Sequence, residues 1–416
     1  MMKVLALLLL LGCGLAILQF DDSPSQEVMS YVNSIEEKRA AESQAFLYLN
    51  GIAALENQDV SLEGKKLLNK YNSSSSELYP TREYDSENET SSQLSTPNKN
   101  VFFNCKFLEN ECFIGIMNNS KYWKAEIDQW STILMRYEKF IAHSEFTTMT
   151  KPSVSEPVAD YLYLVYGNRL KILSVLSLLN LGRHKEALEG LREDNQYIRQ
   201  HIEIADNVIH KMIFVSLLEN NLNVLAYLSS LKKVDDFKPI SLLSSKEIDI
   251  TLPMSREFVI GFNTLLELDG RPDFFDVDGE LPYWFVRAIF KPYMTLNDSV
   301  ASYSEIIRIS QLPAKAFSES VNAVELINKK SWSIRNYAGN TINKIPIPGY
   351  SKYIATMHDL NCKIELLNHS FGGQGGLLNN PYGAQYKTNE IKDDLICMEG
   401  PLEDNGNSRC IKTAYK

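Results

Sequence analysis

The sequence predicts a mainly α-helical protein with an N-terminal transmembrane helix, an irregular helical-hairpin body of tetratricopeptide-like type, and a small C-terminal β-hairpin appendage. Three observations predict it. The run Val4–Phe20 contains only apolar and glycine residues apart from Gln19, approaching the ~17 to 25 positions that a membrane-crossing helix needs. Apolar residues then recur at three- and four-residue spacing through most of the chain, as in helices with one buried face. The tail instead carries LLNNPYGAQYK, LICM and RCIK, short extended runs separated by turns.

Residues 1–22 form the membrane anchor or signal segment. Lys3 precedes the apolar run and Asp21 and Asp22 follow it, so the cationic flank stays in the cytoplasm and the body crosses. An uncleaved anchor fits best, because apolar character resumes at Leu15, Ala16, Ile17 and Leu18 where a cleaved signal peptide would have a small-residue exit. The tetrad Leu10-Leu11-Gly12-Cys13 also resembles a bacterial lipobox, in which Cys13 would be lipidated, and soluble secretion is a third alternative. The expected location is the bacterial inner membrane, single-pass with the body in the periplasm; the alternatives are a lipoprotein or a secreted protein.

Residues 23–71 make an N-terminal helical segment, with an amphipathic helix expected over Gln26–Leu55 and a break near Asn57. Residues 72–100, rich in Ser, Glu, Asn and Thr with Pro80 and Pro97, cannot cover a core and are expected as a mobile polar loop. Residues 101–330 are the helical body. Helical pattern runs from Tyr122 to His143, pauses over Lys151–Pro157, and continues from Ala159 to Leu231. Inside that stretch, LSLLNLGRHKEALEGL (Leu176–Leu191) predicts helix, turn, helix, with Gly182 at the turn and Ala187 allowing close approach. No second copy occurs at the repeat distance, so the hairpins are irregular. The helix expected from Asn207 to Leu231 is apolar on nearly every side of its first turns and should be central and buried. Residues 331–416 hold a helix over Ser351–Asn368 and a disulfide-closed hairpin region.

The six cysteines are informative by placement. Cys105 and Cys112 bracket CKFLENEC, and Cys397 and Cys410 bracket CMEGPLEDNGNSRC, whose Pro, Gly and Asn mark turns. In an oxidising compartment each pair is expected as a disulfide worth ~2 to 4 kcal/mol. Neither pair has a CxxC spacing or a histidine companion for a metal. Cys362 is left over, as a small buried apolar group.

A net charge of −10 with no concentrated basic stripe argues against nucleic acid as a partner. The expected partners are the membrane, through the N-terminal helix, and other envelope proteins. No catalytic, cofactor-binding or metal-binding residue is assigned, and no cofactor is expected. Glu203, Asp206, His210 and Lys211 stand about one helical turn apart and could hold a metal or move protons. Structural pairing is the stronger explanation, because burial demands partners for such groups anyway, and His201 lacks the HExxH arrangement. Asp276–Glu280 imitates a calcium loop but would place Phe274 and Phe285 at ligand positions. FGGQGG (Phe371–Gly376) lacks the ending of a phosphate loop, and no GxSxG elbow occurs. Glycosylation sequons at Asn72, Asn88, Asn118, Asn297 and Asn368 are expected by chance in an Asn- and Ser-rich chain. In Glu280–Ser310, the residues Tyr283, Trp284, Phe285, Phe290 and Tyr293 are expected in core packing at a helix junction rather than in an exposed partner patch.

NGIAALE near Asn50, the Cys105–Cys112 segment, Arg183–Ile213, FKPYMTLND (Phe290–Asp298) and YSKYIATMHDL (Tyr350–Leu360) resemble a family of uncharacterised proteobacterial proteins with an N-terminal membrane helix and a largely helical periplasmic body. NPYGAQY (Asn380–Tyr386) is similar to a C-terminal segment of pseudopilin-like proteins, with Asn380 and Tyr382 where those carry Asp and Trp. Neither resemblance implies an activity. The expected function is a non-enzymatic, membrane-tethered periplasmic scaffold or protein-interaction module. The alternative is an envelope hydrolase or modifying enzyme whose site is assembled from distant helices.

Overall fold

A computed structural model describes residues 18–39, 41–74, 93–97, 103, 105–230, 238–271, 274–275, 282–321, 333–344, 349–372, 378–391, 395–404 and 406–412. The expected anchor through Ile17, with Cys13, and the segment Asp276–Glu280 lie outside the described residues. Helices α1 (Gln26–Arg39), α2 (Gln44–Asn50), α3 (Val60–Ser74), α4 (Asn110–Asn118), α5 (Ser120–Gln129) and α6 (Ser131–Ile141) precede three long ones, α7 (Leu162–Asn180), α8 (His184–Ile204) and α9 (Val208–Ser230). The one-turn α10 (Ser245–Ile248) leads to α11 (Thr251–Asp269), α12 (Tyr283–Ile289), α13 (Pro292–Ser310) and α14 (Ala314–Ser320). A 3-10 turn (Ile334–Asn336), α15 (Tyr337–Ile342), α16 (Tyr350–Gly372) and strands β1 (Thr388–Ile391), β2 (Leu395–Met398) and β3 (Cys410–Lys412) follow.

The hairpin at Gly182 forms as its sequence dictates. Gly182 takes φ +75°, its N–H bonds the Leu179 carbonyl at 2.9 Å, and the Arg183 N–H bonds the Leu178 carbonyl at 3.0 Å. These are the two bonds of a Schellman ending, which needs a residue at ease in the left-handed region. α8 then folds back along α7, with Ala187 fully buried at the approach, and α9 returns along α8. α8 is amphipathic, whereas α9 buries Phe214, Val215, Leu217, Leu218, Val224 and Tyr227 around most of its girth. Each such side chain contributes ~1.5 to 3 kcal/mol by leaving water. α7 is long and apolar enough to cross a membrane. Most of it is nonetheless covered by α6, α8 and α9, as in the core helix of a folded body.

Three expectations need correction. The single helix expected over Gln26–Leu55 is two helices, because the extended Ser43 accepts the Phe46 N–H (3.1 Å) while its own hydroxyl donates to Glu145 (2.7 Å). That N-cap starts α2 in a new direction; α1 packs on α11 and α13, and α2 packs on α3. Within the expected polar loop 72–100, residues 72–74 belong to α3 and Leu94 is buried, its N–H bonding the Ala53 carbonyl at 2.7 Å. In the tail the expected antiparallel hairpin is present as β1 and β2, and β3 extends it to a three-stranded meander, β1-β2-β3. NPYGAQY is a turn with Gly383 at φ +114°, not an extended run. Met398, Ile411 and Tyr382 join the main core, and β3 packs on α16 and α9.

Both expected cysteine pairs sit at bonding distance: Cys105 with Cys112, and Cys397 with Cys410, which face each other across β2 and β3. Cys362 is buried and unbonded to another cysteine, as expected.

Candidate functional site

The polar set on α8 and α9 separates into three environments. Asp206 lies in the corner between the helices and accepts the Thr148 N–H (2.6 Å) and hydroxyl (2.7 Å). Asn207 caps α9, its side-chain oxygen accepting the His210 N–H at 2.8 Å. Lys211 points the other way, donating to the Ile202 carbonyl near the end of α8 (2.9 Å) and to the Asp249 carbonyl (2.8 Å). A cation there satisfies orphan carbonyls and the negative end of the helix dipole. Burial lowers this ammonium to about 8. Glu203 faces solvent and sits 3.6 Å from Lys246. The four residues do not converge on one cavity.

What the corner does assemble is a pair of imidazoles inside aromatic rings. His201 Nδ1 lies 3.3 Å from His210 Nε2, His201 Nε2 lies 3.2 Å from the Ile141 carbonyl, and His210 Nδ1 lies 3.4 Å from the Tyr161 hydroxyl. Phe146 stacks on His210 with centroids 3.9 Å apart, and Phe214 stacks on His201 at 4.6 Å. Burial lowers His201 to about 4 and holds His210 well below its ordinary value, where the charges of His201 and Lys211 add to the penalty. Two neutral rings then fix one proton order: Tyr161 donates to His210, His210 Nε2–H donates to His201, and His201 Nε2–H donates to the carbonyl. All four ring nitrogens of His201 and His210 have a partner.

Sequence reasoning missed two other buried polar clusters. At the junction of α6, α7, α8 and α9, Asp194 accepts from the Tyr137 hydroxyl (2.9 Å) and from Asn221 (2.7 Å), and Asn168 donates to Asn221 at 3.0 Å. The Asp194 carboxyl has only neutral hydrogen-bond donors, and burial raises it to about 6. Asn168 and Asn221 interrupting apolar helices were the available signal. The second cluster ties the tail to α16: Asp359 accepts from Tyr382 (2.6 Å) and from Arg409 (3.1 Å), and Arg409 also donates to the Leu402 carbonyl (2.9 Å). Burial raises Asp359 to about 6 against the pull of Arg409. Among the described residues no group of His, Cys, Asp and Glu has the geometry to hold a metal.

The aromatic segment divides. Val286 and Phe290 are buried with Leu268, but Tyr283, Trp284 and Phe285 are exposed, Trp284 by 58%, so the expected core role fails for these three. A seven-residue helix has one inner face, and Val286 occupies it. Beside them Ile334 (70%) and Tyr337 (56%) are also exposed, on elements that pack against α12. The start of the described chain lies here. Gln19 donates to the Trp284 carbonyl at 3.0 Å, Arg335 donates to the Phe20 carbonyl at 2.9 Å, and Asp21 accepts the Tyr293 and Met294 N–H groups at 2.9 and 3.2 Å. Asp21 thereby caps α13 with a charge of the sign its N-terminus favours.

Compared with models of protein families, with curated proteins and with solved structures, the chain matches none.

Proposed function

We propose that this protein is a membrane-tethered, non-enzymatic scaffold of the bacterial envelope. The N-terminal apolar segment holds it in the inner membrane, its stack of irregular, tetratricopeptide-like hairpins stands in the periplasm, and it works by binding other envelope proteins. The observation that carries this reading is the fate of the reactive-looking polar residues. Asp206, His201, His210, Lys211 and Asp194 are all spent on internal hydrogen bonds that tie helices and their connecting segments together. Two cysteine pairs at bonding distance support an oxidising compartment. The Gly182 turn and the buried Ala187 support the hairpin comparison.

Two measurements test the reading. A reporter active only in the periplasm, fused after Lys416, should be active while the protein fractionates with membranes; a soluble mature form starting after Phe20 would remove the tether. Replacing the chromosomal copy with Asp206→Ala separates scaffold from enzyme. A scaffold loses function only at temperatures where the variant unfolds, whereas a fully folded variant with the phenotype of a deletion would overturn the non-enzymatic part.

A further inference from the structure

We infer that the exposed face made by Phe20, Tyr283, Trp284, Phe285, Ile334 and Tyr337 lies against the lipid bilayer, so that the body docks on the membrane surface rather than swinging from a linker. The inference rests on the anchoring proposed above. Its occupant is the lipid headgroup and upper acyl region of the leaflet from which the chain emerges.

The geometry of residues 19–25 points to it. Five contacts strap this stretch to the body: Gln19 to Trp284, the Phe20 carbonyl to Arg335, Asp21 to the first turn of α13, the Ser23 carbonyl to Asn297 (2.9 Å) and the Ser25 N–H to Asn297 (2.8 Å). Ile17, still within the apolar run, is four residues from Asp21. Four residues reach at most ~14 Å even when fully extended, so no slack separates the membrane boundary from the body. Whatever surface surrounds Phe20 must then face lipid.

Its chemistry fits that neighbour. Phe20 is 69% exposed, and around it the apolar side chains are dominated by Trp and Tyr, whose apolar rings and polar tips favour the headgroup level. Two arginines stand at the same place: Arg335, on the Phe20 carbonyl and Asp22, and Arg287, 5.7 Å over the Tyr283 ring. Arginine stems lie along apolar surface while the guanidinium reaches phosphate. A patch of this kind facing water would be an aggregation liability.

The test uses the full chain reconstituted into phosphatidylcholine vesicles with ordinary or dibrominated acyl chains, whose bromines quench nearby tryptophan. Flotation comes first. Protein that fails to float with the vesicles overturns the tether and the docking together. In floating protein, the brominated lipid should remove emission that wild type has and W284F lacks. I334W should add a quenched component, and L181W, on the α7–α8 turn, should add an unquenched one. Floating protein in which Trp284 and I334W stay unquenched overturns the docking and leaves the tether intact. Equal quenching of L181W and I334W also overturns it, because the face would then have no preference.

Discussion

Two buried sites on α8, two turns apart, answer acid in opposite directions. At Asp194, burial raises the carboxyl from 3.8 to about 6, so between those pH values the folded protein holds a proton that the unfolded chain has released. Stability from this site is complete below pH 3.8 and is lost as pH rises through 6, a swing of ~3 kcal/mol. At His201, burial lowers the imidazole from 6.5 to about 4, so the unfolded chain takes up a proton that the folded one refuses. Stability from this site is complete above pH 6.5 and is lost as pH falls through 4, again by ~3 kcal/mol. The same cause, removal from water, thus produces opposite slopes according to which protonation state is charged. Placed on one helix, the two nearly cancel, and the net charge of the chain says nothing about the result.

The largest effects come from removing either half. In Asp194→Asn, stability relative to wild type should improve by ~3 kcal/mol as pH rises from 3.8 to 6. In His201→Phe, which keeps a ring between Phe140 and Phe214, the relative stability should improve by a similar ~3 kcal/mol as pH falls from 6.5 to 4. Denaturant titrations across that range measure both, and parallel slopes in the two variants would break the comparison. Next in size is Asp206→Ala, which strands the Thr148 donors in the same corner and should cost on the order of 1 to 3 kcal/mol. An unchanged or raised melting temperature would place Asp206 outside the structural network. Smaller still is Gly182→Ala, expected to cost about 1 kcal/mol by putting a side chain in the left-handed region and loosening the α7–α8 turn. The least visible outcome concerns Cys362: non-reducing peptide mapping should show Cys105–Cys112 and Cys397–Cys410 linked, and Cys362 alkylated only after unfolding. Burial raises that thiol far above its ordinary range, which suppresses the reactive thiolate.

The parts of this protein that could be read from sequence are the local ones. The Gly182 turn, the buried course of α9 and the two short cysteine loops each depend on residues within about a dozen positions of one another. The separation of Glu203 from Asp206 and His210 was not legible, because it depends on which neighbouring helix approaches each face of α8 and α9. The Asp194 cluster draws Tyr137, Asn168 and Asn221 from three other helices, and no periodicity announces such a meeting. Trp284 misled for a related reason. An aromatic run beside prolines has the composition of a helix junction, and only the short length of α12, with Val286 alone turned inward, puts its neighbours outside.

The strap also sets an order of assembly. Asp21 caps a helix whose first turn lies 272 residues further along the chain. During synthesis at ~5 to 20 residues per second, roughly 14 to 54 s separate the appearance of that carboxylate from the appearance of its partners. The hairpins built on neighbouring stretches close far sooner, since local contacts carry little loop-closure entropy. The beginning of the chain is therefore among the last pieces to be fastened, and for that interval α13's landing place for it does not yet exist.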